Sequence, residues 1–169
     1  MNLHEMSTMA RESFNSLALS SLDKRNQVLS AMEETLSEDK GFIFQANQAD
    51  LKEAEAEGLA ASLLHRLVFG EEKLLQVQAG LRSLSQLEDP IGKTIYCNEI
   101  AEGLKLYRVP CPIGVVGVIF ESRPDALVQI SSLAIKSGNA VLLKGGREAL
   151  RTNQALCLSI RKALTRIGL

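Results

Sequence analysis

Apolar residues recur at helical spacing up to about residue 88 and in a strand-like pattern after it. Ala10, Phe14 and Leu17 share one helix face. Ser21 is placed to cap a second helix whose apolar stripe is Val28, Leu29, Met32 and Leu36, and Gly41 is expected to interrupt it. Asn47 is the expected cap of a further short helix carrying Leu51 and Ala54, closed by Gly58. Leu63, Leu64, Leu67 and Val68 form another stripe ending at Gly70. Leu74, Val77, Leu81, Leu84 and Leu87 run down a helix that must stop before Asp89-Pro90.

Beyond Pro90, residues 94–97 and 104–109 alternate around a turn containing Gly103, which predicts an antiparallel hairpin. Residues 113–120 are a continuous, β-branched apolar run, the pattern of a strand buried on both faces. Asp125 is the expected cap of a helix carrying Leu127, Val128, Ile130, Leu133, Ala134 and Ile135, and Ser137-Gly138-Asn139 ends it. A second strand at 140–144, a tight loop at 145–147 and a last helix over roughly 148–166 complete the chain.

Strand, helix, strand, helix with short connections predicts an α/β chain with a parallel sheet and right-handed crossovers. The expected organisation is a helical region at 1–88, a β-hairpin at 93–110 and a βαβα unit at 113–169. Two strands do not make a stable doubly wound sheet, and a third strand is expected where the chain stops.

Composition narrows the function classes. Hydrophobic residues are 46% and charged residues 23% of 169, which fits one ordinary globular domain. A net charge of −1, 4% aromatics and no Trp leave neither the field nor the stacking surface that nucleic-acid binding uses. No apolar run is long enough to span a bilayer and the start carries no secretory pattern, so no membrane role is expected. Cys97, Cys111 and Cys157 are odd in number and widely spaced, which speaks against disulfides and a zinc site and for a cytoplasmic setting. Cys111 and Cys157 look like small buried hydrophobes.

Ligands of open parallel sheets sit at the carboxyl ends of strands. Two loops leave such ends: Phe120-Glu121-Ser122-Arg123-Pro124 and Lys144-Gly145-Gly146-Arg147. Lys144 and Arg147 can meet a phosphate, the glycines let backbone approach it, and the helix start near Glu148 adds N–H groups. The Lys-Gly-Gly-Arg run alone stays open between a left-handed turn flanked by solvated charges and a nucleotide site. Its place at a strand end, beside a second such loop, favours the site. His4 and His65 have no partner nearby in sequence, Glu53–Glu57 reads as a solvated helix face, and the Leu74–Leu87 stripe reads as core or an oligomer contact.

Pro112-Ile-Gly-Val-Val-Gly-Val-Ile-Phe-Glu-Ser-Arg-Pro-Asp125, Lys136-Ser-Gly-Asn-Ala-Val-Leu-Leu-Lys-Gly-Gly-Arg-Glu-Ala149 and Thr152-Asn153 carry a resemblance. So do Ala46-Asn47 with Asp50-Leu51, Gly58-Leu59, His65-Arg66-Leu67 and Asp89-Pro90-Ile-Gly92. With these blocks, nearly the whole chain resembles the glutamate-5-semialdehyde dehydrogenase family, a branch of the aldehyde dehydrogenase superfamily. The same module forms the reductase half of bifunctional pyrroline-5-carboxylate synthase.

The resemblance implies a truncated aldehyde dehydrogenase fold, the N-terminal part of an NADP-binding domain with a partial Rossmann-like parallel sheet. It implies NADPH-dependent reduction of gamma-glutamyl phosphate to glutamate-5-semialdehyde, with phosphate release, in proline biosynthesis, through a cysteine thioester. It places the cofactor against Ile119, Phe120, Glu121, Lys144, Gly145, Gly146 and Arg147, with Lys144 on the adenosine ribose and Arg147 suited to a 2′-phosphate. Ser122 takes the oxyanion position and Arg123 faces the anionic substrate. The expected partners are gamma-glutamyl phosphate, glutamate 5-kinase and further copies of the full-length enzyme, with no metal. The nucleophilic cysteine of the family lies in a domain beyond residue 169, so this chain alone is expected to be inactive. The alternative is a non-catalytic nucleotide-binding or interaction module.

Overall fold

The computed structural model describes residues 2–169. Five helices come first: α1 (Leu3–Ala18), α2 (Leu22–Glu38), α3 (Lys40–Ala56), α4 (Ala61–Leu67) and α5 (Glu71–Gln86). The hairpin β1 (Tyr96–Ala101) and β2 (Leu104–Arg108) follows, then β3 (Val115–Ile119), α6 (Pro124–Lys136), β4 (Ala140–Lys144) and α7 (Leu150–Arg166), the last entered through a 3-10 turn at Arg147–Ala149. The expected α/β class, helical first half, hairpin and small parallel sheet are all present.

Local chemistry accounts for the helix ends. Asn2 and Glu5 close a reciprocal capping box on α1, and the Ser21 hydroxyl accepts the Lys24 N–H at 3.2 Å to start α2. Gly58 closes α3 with φ +76°, a left-handed backbone that lets Leu59 N–H reach Ala54 O at 2.9 Å. Gly138 does the same for α6, where Asn139 N–H reaches Ala134 O at 2.8 Å.

The α2 stripe forms the centre of the core. Val28, Leu29, Met32 and Leu36 are each at most 1% exposed, packed with Leu74, Val77 and Leu81 of α5, Leu127, Val128 and Ile135 of α6, and Leu156 and Ile160 of α7. The Leu74–Leu87 stripe is core only as far as Leu84, because Leu87 stands at the helix end and is 61% exposed.

Four local expectations are corrected. The break between α2 and α3 falls at Asp39 rather than Gly41, which lies inside α3. Asn47 sits within α3 and caps nothing on its own helix. Asp125 is in the first turn of α6 behind Pro124, and Arg123 takes the cap position, since proline already fits the first helical site. The first hairpin strand runs 96–101 rather than 94–97, around Glu102-Gly103 with Gly103 at φ +77°.

The sheet is smaller than the pattern of β3 implied. Among the described residues β3 pairs only with β4, in parallel, and is half-buried rather than covered on both faces; Ile119 is 80% exposed. The hairpin forms a separate two-stranded ribbon, exposed at every strand residue.

Candidate functional site

The parallel register pairs Val115 with Ala140 and Ile119 with Lys144, and Phe120 N–H donates to Lys144 O at 3.0 Å. The two sequence-flagged loops therefore leave the strands side by side, at one edge. The amino end of β3 is pinned by Asn139, whose Oδ1 accepts Ile113 N–H at 2.7 Å and Gly114 N–H at 2.9 Å.

The loops are joined by a contact between Ser122 and Glu148. Ser122 is buried and has φ +46°, a left-handed conformation that a serine adopts only under constraint. Its N–H and its hydroxyl both donate to Glu148 Oε1, at 2.6 and 2.9 Å. Burial pushes the Glu148 carboxyl up, but the N–H of Glu148, the two donors of Ser122 and the charge of Lys144 outweigh it and hold its pKa below the ordinary carboxylate value. An oxyanion needs free donors, and those of Ser122 are taken by Glu148.

Gly145 and Gly146 do not fit the left-handed-turn reading. Neither has a positive φ, so the run is no left-handed turn. Their lack of a side chain serves internal packing. A Cβ on Gly146 would strike the Glu148 carboxylate, and one on Gly145 would strike the Asn153 amide and lie 3.3 Å from the Phe120 ring. At each glycine the chain's own side chains take the place a Cβ would occupy. The first amides of α7 are likewise not free, because Asp50 of α3 accepts from Arg151 N–H at 3.3 Å and Thr152 N–H at 2.8 Å.

The cations remain available. Lys144 and Arg147 are exposed and neither closes a salt bridge among the described residues; Lys144 Nζ donates to Gly145 O at 3.1 Å. Arg123 is half exposed and reaches Asp125 at 3.2 Å, which Lys73 also approaches at 3.8 Å. Glu121 is exposed and Phe120 packs on the core. The fold thus brings Ile119, Phe120, Glu121, Ser122 and Arg123 to the same edge as Lys144, Gly145, Gly146 and Arg147.

The cysteines lie elsewhere. Cys97 is exposed on β1, and Cys157 is half-buried on α7, where burial pushes its thiol up. Cys111 is exposed, not buried as its pattern suggested, because the segment between β2 and β3 lies on the surface. His4 and His65 are exposed on helices. Among the described residues no group of three His, Cys, Asp or Glu is placed to hold a metal, and no helix is long and apolar enough to cross a membrane.

Comparison with known proteins adds relatives to this geometry. No family model matches the chain. The gamma-glutamyl phosphate reductase of Acetivibrio thermocellus is 50% identical over all 169 residues, and that of a Synechocystis strain 48% over 164 residues. The solved gamma-glutamyl phosphate reductase of Thermotoga maritima is 34% identical and superposes over 98% of this chain and 40% of its own, with a TM-score of 0.94. This chain is a homologue of gamma-glutamyl phosphate reductase. It spans 39% of the length of the Acetivibrio relative and 38% of the Synechocystis one. The Saccharomyces cerevisiae gamma-glutamyl phosphate reductase agrees, at 37% identity and a TM-score of 0.91 over 96% of this chain and 41% of its own. A propionaldehyde dehydrogenase of Clostridium phytofermentans, 14% identical with a TM-score of 0.63 over 95% of this chain and 33% of its own, shares the fold.

Several residues that carried the resemblance to gamma-glutamyl phosphate reductase are architectural. Asn47 accepts Phe69 N–H at 2.8 Å and donates to Leu67 O at 2.9 Å and Thr152 Oγ1 at 3.2 Å, while Thr152 Oγ1 donates to Asp50 at 2.7 Å. This buried network joins α3, the end of α4 and the start of α7. A second one holds the exit from α5: Arg25 pairs with Asp89 at 2.7 Å, and Lys136 Nζ donates to Asn26 Oδ1, Ser85 O and Leu87 O at 2.9, 3.2 and 2.7 Å. Burial lowers the Lys136 pKa; Asp89 opposes that shift and the Arg25 charge adds to it. Sequence reasoning did not single out Glu148, Arg25 or Lys136. Glu148 carried one available signal, its place directly after the Lys-Gly-Gly-Arg run, while no spacing rule pairs Arg25 with Asp89.

Proposed function

We propose that this chain binds NADP(H) at the strand-end loops, as the nucleotide-binding part of an enzyme that reduces gamma-glutamyl phosphate to glutamate-5-semialdehyde in proline biosynthesis. The observation that carries the reading is the pair of exposed cations without salt bridges, Lys144 and Arg147, at the carboxyl end of β4. Phosphates bind where cations are not already neutralised. The homology to gamma-glutamyl phosphate reductase supports the substrate, and the aldehyde dehydrogenase fold supports a nicotinamide cofactor.

The cofactor supplies hydride when bound. The residues of this chain bind and orient. Lys144 takes the ribose side and Arg147 the 2′-phosphate, which selects NADP over NAD. Arg123, still half exposed beside Asp125, turns toward the anionic substrate. Ser122 holds the oxyanion position by its place in the loop and needs Glu148 to release a donor before it can act there. No cysteine of this chain stands at the strand ends, so its own contribution is binding. Exposed Ile95, Tyr96, Ile100, Leu104, Leu106 and Tyr107 on and beside the hairpin support assembly with further copies. The labile acyl phosphate makes glutamate 5-kinase the natural supplier, in the cytoplasm.

The test is titration of the 169-residue chain with NADPH and NADH, followed by nucleotide fluorescence. NADPH is expected to bind the more tightly, and Arg147→Glu to remove or invert the preference. Equal affinity for both nucleotides in parent and variant would sink the assignment of Arg147.

A further inference from the structure

We infer that Glu148 is a positioning residue for nucleotide binding: by taking both hydrogens of Ser122 it locks the Glu121–Pro124 loop against the Lys144–Arg147 loop in the arrangement that receives the ligand's phosphate. The inference rests on the nucleotide reading of these loops and assigns them a support that the reading alone does not supply.

Four observations lead to it. The contact spans 26 positions of sequence and, with Phe120 N–H to Lys144 O, makes the hydrogen bonding between the two loops among the described residues. Ser122 is held at φ +46°, and a non-glycine residue stays there only when its surroundings fix it; the two bonds to Glu148 do so. Gly146 has no Cβ, and that is the space the Glu148 carboxylate occupies. Finally, the carboxylate lies near Lys144 yet closes no salt bridge with Lys144 or Arg147. A residue serving to neutralise the cations would bond to them. This one bonds to the neighbouring loop and leaves both cations to an anion from outside.

The contact is internal, so Glu148 touches no ligand and acts through the placement of Ser122 and its neighbours. Its loss frees a strained residue and uncouples the loop carrying Arg123 from the loop carrying Lys144 and Arg147. Bonds to an ionised acceptor of this kind correspond to about a tenfold change in an affinity that depends on them.

The experiment uses the 169-residue chain, NADPH as the probe, and hydrogen exchange at the Ser122 amide as a second readout. Glu148→Ala is expected to weaken NADPH about tenfold and to speed exchange at Ser122 while the amides of α2 and α7 stay protected. Glu148→Gln keeps an oxygen acceptor for both hydrogens and is expected to recover most of the affinity, which a general loss of fold would not allow. Ser122→Ala added to Glu148→Ala is expected to cost nothing further, because the two residues act as one unit. If Glu148→Ala does not fold, Gly146→Ala displaces the same carboxylate without removing it and must give the same two changes. Unaltered NADPH affinity in Glu148→Ala, or full additivity with Ser122→Ala, overturns the inference while the nucleotide reading stands. A parent chain that binds no NADPH overturns the nucleotide reading, and this role with it.

Discussion

Ser122 gives its main-chain N–H and its hydroxyl hydrogen to one carboxylate oxygen, Oε1 of Glu148, at 2.6 and 2.9 Å. The arrangement explains two features that composition and spacing leave unaccounted for. A buried serine sits in the left-handed region because both its donors are satisfied there. Gly146 is small because a carboxylate from two residues on is folded back over it.

The two adjacent glycines should differ in what they tolerate. Gly145→Ala sets a methyl against the Asn153 amide and the Phe120 ring, both backed by packed structure, and overpacking of that kind costs roughly 1–3 kcal/mol. Gly146→Ala meets the far end of a flexible side chain, which can swing into solvent, so its cost in stability should be smaller. Urea unfolding followed by far-UV circular dichroism gives both values. A larger loss for Gly146→Ala would mean that the Glu148 carboxylate cannot leave its place.

Much of the fold is legible in the sequence because it follows from local pattern. The α2 stripe Val28, Leu29, Met32 and Leu36 is the centre of the core, and Gly58 and Gly138 end their helices as their positions suggest. The strand-end loops are legible in the same way, since a helix crossover between β3 and β4 makes the pair parallel. The burial of β3 was not legible. An apolar run reports what a strand can bury, and among the described residues β3 has one neighbouring strand. The role of Asn47 is not legible because a capping residue and a buried amide that satisfies a distant loop look alike in sequence; the partners of Asn47 at Leu67, Phe69 and Thr152 are 20, 22 and 105 positions away. The role of Glu148 is hidden for the same reason. Its partner lies on another loop, and only the parallel register brings the two together.

Arg25 and Asp89 should show an order of damage that identifies the pair. The Arg25 side chain is 1% exposed, and its Nε and Nη1 are buried without partners, so among the described residues Asp89 is its only compensating charge. Asp89→Asn strands the guanidinium, which costs about 3–5 kcal/mol in a buried pair. Replacing both, as Arg25→Met with Asp89→Asn, removes the stranded charge and should be less damaging than Asp89→Asn alone. Chemical denaturation of the two variants tests the order, and a double variant less stable than the single would refute it.

Asp50 should behave as the cap of a helix to which it does not belong. Ala149 at the α7 cap position has no acceptor, and Asp50 of α3 supplies it, taking Thr152 N–H at 2.8 Å and Thr152 Oγ1 at 2.7 Å. Asp50→Ala loses the cap and leaves those donors buried, an expected cost of about 2–4 kcal/mol. Hydrogen exchange should then rise first at the amides of Arg151 and Thr152. Fraying that begins at the carboxyl end of α7 instead would contradict the role.

Glu38 should make stability depend on acid and on salt. Hydrogen bonds from Arg166 and Lys162 lower its pKa from 4.5 to about 2, and these bonds join the end of α2 to the last turns of α7. The folded-state value lies below the unfolded one, so the folded chain gives up this proton more readily. The contribution is therefore complete above about pH 4.5 and is lost as the pH falls toward 2. The carboxylate lies at the surface, where ions screen it, so the effect is modest at neutral pH and shrinks in high salt. The measurement is the difference in urea midpoint between the parent chain and Glu38→Gln. That difference should be present at pH 7 in low salt, decline between pH 4.5 and 2, and narrow in 1 M salt. A difference that stays constant across this range would show that the ion network contributes nothing to holding α7 against α2.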